Sequence, residues 1–324
     1  MEAALVCPPA EEYPMYVFRP DLESMPSKRW LARRFPYREE LIADLRHRIH
    51  LAPAPITVCP PSPRHFGHAI EKTFALDLCD TPPYPHLFAS LPKTERQALL
   101  TTAGYRPDHR RGDTAWRRTN SEVPGARLLT VGSVLTILEQ ALRQLPITMP
   151  DEAHATLQGP LRHRRTIAIC ATATRAARPA FAVFWASYLS GFRAALRSYG
   201  PVTAGPALLD GLRVADLLAG ATIVEVKTGH LTETHQFEGL IDQVLTYTLL
   251  AAVSGYQVSA VAAYLARYHV LARYPIGAFT TKLAGGPVDT TEAGNHLATL
   301  IRAEYPLAAA ALYETAAQRS HSGR

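Results

Sequence analysis

The stretch 213–228, RVADLLAGATIVEVKT, holds Asp216, Glu225 and Lys227 among apolar residues. Two carboxylates and an amine could bind a divalent cation and activate water, provided that the backbone brings them onto one face. Side chains alternate between the faces of a strand. Glu225 and Lys227 therefore project together, beside Ile223, while Val224 and Val226 project the other way. A turn at Gly220-Ala221, glycine first, suits a type II′ hairpin. That register pairs Ala219 with Thr222 and sets Asp216 opposite Glu225, where directly opposed Cβ atoms lie about 4.5–5.5 Å apart. Like charges so placed destabilise a sheet unless something positive stands between them. Mg²⁺ fits the description, since it takes octahedral oxygen ligands at about 2.1 Å and keeps several waters. The Val226 carbonyl could supply one more ligand. Lys227 could orient or deprotonate the attacking water, or stabilise a pentavalent phosphate, and a preorganised donor of that kind is worth roughly 3–4 kcal/mol. The plainer alternative is a Glu225–Lys227 salt bridge on an exposed sheet face, worth about 0–1 kcal/mol. The apolar other face of the strand and the flanking Ile223 and Val214 favour a partly buried cluster, which more often marks a site.

The next helical stretch, 240–253, adds Gln243 and Tyr247. Residues four apart share a helix face, and these two are polar-tipped among Val244, Leu245, Leu249 and Leu250. Ordinary hydrogen bonding at a core edge would account for them equally well.

Taken together, an Asp, a Glu-x-Lys in the next strand and a Gln-xxx-Tyr in the next helix resemble the PD-(D/E)xK nuclease superfamily, specifically its RecB-like branch. The matching residues are Asp216, Glu225, Lys227, Gln243 and Tyr247. That branch also has an upstream helix with Gly-xxx-His or Gly-xxx-Glu. The run GHAIE fits it, with Gly67 first and Glu71 in the metal-facing place, ahead of His68, which lies outside the motif's spacing. The stretch 264–275, YLARYHVLARYP, looks like the final hairpin of actinobacterial members of the branch. The resemblance covers residues 64–78 and 211–276. It implies a restriction-endonuclease-like core, a mixed central sheet flanked by helices. It also implies Mg²⁺ or Mn²⁺ held by the acidic residues, a lysine that assists the water, and a Gln and Tyr that help to place DNA. Iron–sulfur members of the branch carry cysteines after the Gln-xxx-Tyr helix. Here no cysteine follows Cys170, so no cluster is expected.

The elements that must position these residues are spread along 324 residues, enough for one large domain or two small ones. Residues 1–63 read as a Pro-interrupted N-terminal arm with a basic helical stretch over 28–50. Residues 64–283 read as the nuclease-like domain, with a helical insertion over about 80–200. Within the insertion, 128–145 and 179–199 are expected to be helices. Strands are expected over 212–218, 222–228, 257–264 and 270–276. Residues 284–324 read as a C-terminal region whose Ala-rich helix, 295–318, packs on the core. The order of helix, strands, helix, strands makes the fold α/β with a helical insertion.

Hydrophobic residues make up 47% of the chain, which allows a sizeable core. Lys plus Arg outnumber Asp plus Glu, 34 to 28, for a net charge of +6, which permits a nucleic-acid partner without requiring one. Basic loops at 104–118 and 162–165 could form a DNA track, with Tyr105 or Trp116 stacking on unpaired bases; solvated surface loops are the equal alternative. Arg267 and Arg273 are expected near the sheet end, contacting phosphate or simply solvated. His230 and His235 flank the loop after Lys227 and could gate the site or bind metal. The stretch 244–266 lacks charge, but Ser254-Gly255 splits it into a buried helix and a buried strand rather than a membrane span. Cys7, Cys59, Cys79 and Cys170 lack zinc or redox spacing and read as reduced thiols of a cytoplasmic protein, and no signal peptide is expected from the acidic, Pro-rich start. Walker A, Gly-x-Ser-x-Gly and HExxH sequences are absent. The expected function is metal-dependent hydrolysis of DNA phosphodiester bonds, in repair or phage defence. The alternative is a nuclease-like DNA-binding or scaffold protein that no longer cuts.

Overall fold

The computed structural model describes residues 25–58, 60, 63–108, 115–119, 122–144 and 164–305. Two short helices come first, α1 (Pro26–Arg34) and α2 (Glu39–Leu51). The sequence suggested one helical stretch over 28–50. Pro36 divides it, because proline lacks an N–H and drives the preceding residue out of the helical region; Phe35 sits at φ −129°, ψ 65°. There follow α3 (Pro63–Leu78), α4 (Pro85–Ala89), α5 (Lys93–Thr102), a small hairpin of β1 (Tyr105–Pro107) and β2 (Trp116–Arg118), and α6 (Gly125–Gln144). The helix expected from residue 179 already begins at Arg164. It runs as α7 (Arg164–Ser187) through Pro179 into a π turn (Tyr188–Phe192) and then α8 (Arg193–Tyr199).

The sheet region comprises β3 (Val202–Ala204), β4 (Ala207–Leu208), β5 (Arg213–Val214), β6 (Leu217–Ala219), β7 (Thr222–Lys227), helix α9 (Thr234–Val253), β8 (Ala260–Leu265) and β9 (Val270–Pro275). Helices α10 (Ile276–Ala284) and α11 (Thr290–Glu304) follow. The Asp289 side chain caps α11 by accepting the N–H groups of Thr291 and Glu292, which fixes its start ahead of the expected residue 295. The rest of that expected helix, from residue 306, lies outside the described residues.

Five strands pair in the order β3-β6-β7-β8-β9, all antiparallel except the parallel pair β7–β8. The chain is thus α/β, with a mixed five-stranded sheet flanked by helices. The β7–α9–β8 crossover makes the parallel pair possible, since parallel neighbours need a long connection. Alternation along the central strands divides the core. Val224, Val226, Ala262 and Tyr264 face one side with Phe66, Ile70 and Phe74 of α3 and Leu128 and Leu135 of α6. Ile223, Val261, Ala263 and Leu265 face the other with Phe237, Ile241 and Leu245 of α9 and with residues of α1, α2, α10 and α11. The charge-free stretch 244–266 is the end of α9 and the fully buried β8, turned at Gly255 (φ +80°). Among the described residues, no helix is long and apolar enough to cross a membrane.

The β6–β7 turn has the expected register, Ala219 against Thr222. Gly220 has φ +53°, and Ala221 is not among the residues with positive φ, the pattern of a type II′ turn. A Cβ on Gly220 would lie 2.0 Å from the carbonyl oxygen of Tyr199. Gly220→Ala is therefore expected to cost more than the roughly 1–2 kcal/mol of a left-handed alanine, read as a lower melting midpoint. An unchanged midpoint would contradict this turn.

Candidate active site

The site begins where β6 ends. Its ladder with β7 stops at Leu217–Val224. One residue earlier the chain turns away, with the Ala215 N–H donating to Pro206 and the Gly205 N–H donating to the carbonyl of Asp216 at 2.9 Å. The expected strand over 212–218 is therefore two short pieces, and the gap between them holds Asp216. Its carboxylate takes the vacated place beside β7, where Oδ2 accepts the Val226 N–H at 2.8 Å. A strand residue's N–H and C=O point to the same edge, so the Val226 carbonyl faces this gap too.

Glu225 projects from β7 beside Ile223, as its alternation requires, and is 1% exposed. Its neighbour on β8 is Ala263, whose small side chain leaves room for a carboxylate. That burial excludes the surface salt bridge as an account of the pair. Lys227 bends back over Glu225, donating from Nζ to Glu225 Oε1 at 2.5 Å and to Gln243 Oε1 at 2.8 Å. Gln243 Nε2 in turn donates to the Tyr247 hydroxyl at 2.9 Å. The two α9 residues thus extend one hydrogen-bonded chain from the lysine, because their four-residue spacing stacks them on the face of α9 turned to the sheet. Glu225 Oε2 is left buried without a hydrogen-bond partner.

Glu71 arrives from the opposite face. Helix α3 packs on Val224 and Val226, and its Gly67 lies so close to the end of β7 that a Cβ there would stand 2.7 Å from Thr228 Oγ1. Glu71 follows one turn later, at the gap left by β6. The Tyr84 hydroxyl donates to its Oε1 at 3.3 Å, and His68 Nδ1 lies 3.7 Å from Oε2. Lys72, only 1% exposed, places Nζ 2.6 Å from Glu139 Oε2 and 3.9 Å from Glu71 Oε1. Burial disfavours charge on Glu71, but the Lys72 ammonium and then His68 hold its carboxyl below the usual range.

These carboxylates perturb one another. Burial, then the charge of Glu225, then that of Glu71, pushes Asp216 well above the ordinary carboxylate range. Burial raises Glu225 as well, against the opposing pull of Lys227. Burial works against the Lys227 ammonium, yet Glu225 and Asp216 override it and the lysine is raised. Asp216 and Glu225 with the Val226 carbonyl form an oxygen-only donor set with a buried oxygen lacking a partner, which suits a hard cation that keeps waters. Among the described residues, no group of three or more His, Cys, Asp or Glu side chains stands ready to hold an ion. The fit therefore rests on two side chains and a peptide oxygen, with Glu71 contributing its charge.

Other expected residues lie elsewhere or do different work. Arg267 is buried, not at a solvated strand edge. It donates from Nε to the Thr228 carbonyl at 3.1 Å and from Nη1 to the Ile56 carbonyl, and stands over the Phe184 ring. It ties the chain that follows Lys227 to residue 56, so phosphate contact is excluded for it. Arg273 is exposed, above the Tyr199 ring. Tyr105 is fully buried, its hydroxyl donating to the carbonyls of Leu76 and Cys79, so it cannot stack on a base. Trp116 packs partly buried against the core. Residues 109–114 and the side chains of 162–165 fall outside the described residues. His230 and His235 are exposed beyond Lys227. Nearby, Asp77 is buried between Arg118, Arg193 and the Tyr188 hydroxyl, a lock joining α3, β2 and the π turn rather than an open site.

Lys72, Glu139 and Tyr84 are members of the site that sequence reasoning did not find. Only Lys72 left a trace, as a charge next to Glu71 on α3. Set against family models, curated proteins and solved structures, the chain matches none.

Proposed function

We propose that this chain is a metal-dependent nuclease of the PD-(D/E)xK type, built on a restriction-endonuclease-like core and hydrolysing DNA phosphodiester bonds. The observation that carries the reading is the buried Asp216–Glu225 pair at the open edge of β7, with its partnerless Glu225 Oε2 and the Lys227–Gln243–Tyr247 chain beside it. Asp216, Glu225 and the Val226 carbonyl would hold Mg²⁺ or Mn²⁺. When bound, such an ion polarises a phosphoryl oxygen and lowers the pKa of bound water. Glu225 accepts from Lys227 and so fixes where the ammonium points. Gln243 accepts a hydrogen bond from a second Lys227 N–H, and Tyr247 holds Gln243 in the orientation that makes its amide oxygen the acceptor. The ammonium, 32% exposed at its side chain, is then the donor at the mouth of the site for an attacking water or a charged phosphate oxygen. The net charge of +6 supports a polyanionic substrate.

The test is cleavage of single- and double-stranded DNA and of RNA by the full chain, with Mg²⁺ or Mn²⁺ and with a chelator, beside Asp216→Ala. Metal-dependent DNA cleavage lost in the variant is the expected result. Cleavage retained in Asp216→Ala would remove the site from the reaction. Salt-sensitive DNA binding without cleavage would make the chain a binder instead.

A further inference from the structure

We infer that Tyr84 is a positioning residue of this site, holding the Glu71 carboxylate and the Asp216 turn in fixed relation to each other; the inference rests on the nuclease reading for what those carboxylates do. Tyr84 stands between Pro83 and Pro85 in a backbone conformation, φ +54°, that is a genuine outlier for a bulky side chain. The proline after it disfavours helical conformations at that position as well. Such strain persists only where the surroundings over-determine it, and it gathers at functional sites.

The surroundings here are the two halves of the acidic site. The Tyr84 hydroxyl donates to Glu71 Oε1 at 3.3 Å. Its ring lies against Gly205, where a Cβ would stand 2.9 Å from Tyr84 Cε1, and the Gly205 N–H donates to the Asp216 carbonyl at 2.9 Å. The Lys72 ammonium, bridged to Glu139, lies 5.1 Å from the ring centroid. Glu71 comes from α3 on one face of the sheet, and Asp216 sits where the chain swings between β5 and β6. No ladder joins these segments. Tyr84 spans them, with its oxygen on one carboxylate and its ring on the glycine that fixes the turn of the other. Its carbonyl meanwhile accepts the Leu87 N–H at 2.9 Å and so anchors the residue to the start of α4. A phenol suits the task because the ring fills the space over Gly205 while the hydroxyl reaches Glu71.

Tyr84→Phe keeps the ring and removes the hydroxyl. Glu71 bears on the ion through its charge and Asp216 through its place beside β7, and loss of a partner that orients such groups is put at about 10–100-fold in metal affinity or activity, the range for partners behind ligating groups. The experiment measures Mn²⁺ binding by calorimetry, and cleavage across a Mn²⁺ series, for wild type, Tyr84→Phe and the remote control Tyr274→Phe, whose hydroxyl serves Asp44. The expected result is a Mn²⁺ requirement shifted about 10–100-fold upward in Tyr84→Phe alone, with kcat recovering at saturating Mn²⁺. A lower melting midpoint with an unchanged Mn²⁺ requirement would reduce Tyr84 to a packing residue and overturn the inference while leaving the nuclease reading in place. Wild type that neither binds Mn²⁺ nor cleaves would overturn the nuclease reading, and this inference with it.

Discussion

Lys227→Ala is expected to lower kcat for metal-dependent cleavage by about 10²–10³-fold or more, the range found when one preorganised donor is removed from a site of developing negative charge. The reason is geometric. The ammonium is held by Glu225 Oε1 at 2.5 Å and Gln243 Oε1 at 2.8 Å, which leaves one N–H to be aimed outward. Among the described residues, the nearby cations are engaged elsewhere: Lys72 is directed to Glu139, and Arg267 is spent on the carbonyls of Thr228 and Ile56. Loss of the lysine leaves the buried Glu225 without its cation, but a carboxyl can take up a proton rather than remain charged, so the far-UV circular dichroism at neutral pH is expected to stay that of wild type. Lys227→Arg sharpens the test. It keeps the charge, yet its planar fork cannot reproduce an ammonium wedged between two acceptors, and it should remain at least tenfold impaired. Full activity in Lys227→Ala would place the chemistry elsewhere in the molecule.

The hairpin was legible because three local signals agreed: a glycine where the turn needs positive φ, alternation along β7, and apolar residues on the face away from the charges. Gln243 and Tyr247 were legible because helical spacing alone puts them together. The ladder's early end was not legible. It depends on Ala215 and Asp216 being drawn towards Pro206 and Gly205 on a separate segment, and nothing in the alternation of RVADLLA announces that competition. Glu71 could be placed only through its resemblance motif, and the structure supplies the physical reason, the close approach of Gly67 to Thr228. Tyr84 and Glu139 were invisible for a more basic reason. They join the site through tertiary packing of the insertion, with no periodicity to mark them. Tyr105 misled in the opposite direction. An aromatic in a basic loop reads as a base-stacking group, but its ring fills the core and its hydroxyl satisfies two carbonyls.

The carboxylate pair also makes a stability prediction that does not depend on knowing the substrate. Asp216→Asn should raise the melting midpoint of the metal-free chain at neutral pH and, at the same time, abolish stabilisation by Mn²⁺. Burial and the charges of Glu225 and Glu71 raise the pKa of Asp216, so between its unfolded and folded values the folded chain binds a proton more tightly than the unfolded chain. A group raised in this way contributes stability that is fully present below its unfolded value, near ~3.9, and lost as pH rises through the folded value. Wild type without metal should therefore lose stability relative to Asp216→Asn as pH climbs from the acid side of that window to neutrality. Asparagine cannot ionise, and its amide oxygen can still accept the Val226 N–H, so the substitution removes the charge and keeps the hydrogen bond. A divalent cation should reverse the order. Wild type would gain about 2.7 kcal/mol at a hundredfold excess over the dissociation constant, because the ion offsets the repulsion between the two carboxylates. Asp216→Asn would gain little. Parallel pH profiles for the two proteins would mean that Asp216 is not strained by its neighbours, and equal Mn²⁺ stabilisation would mean that the ion binds elsewhere. A crossing of the two stability curves on adding metal is the outcome that ties the destabilised pair to its occupant.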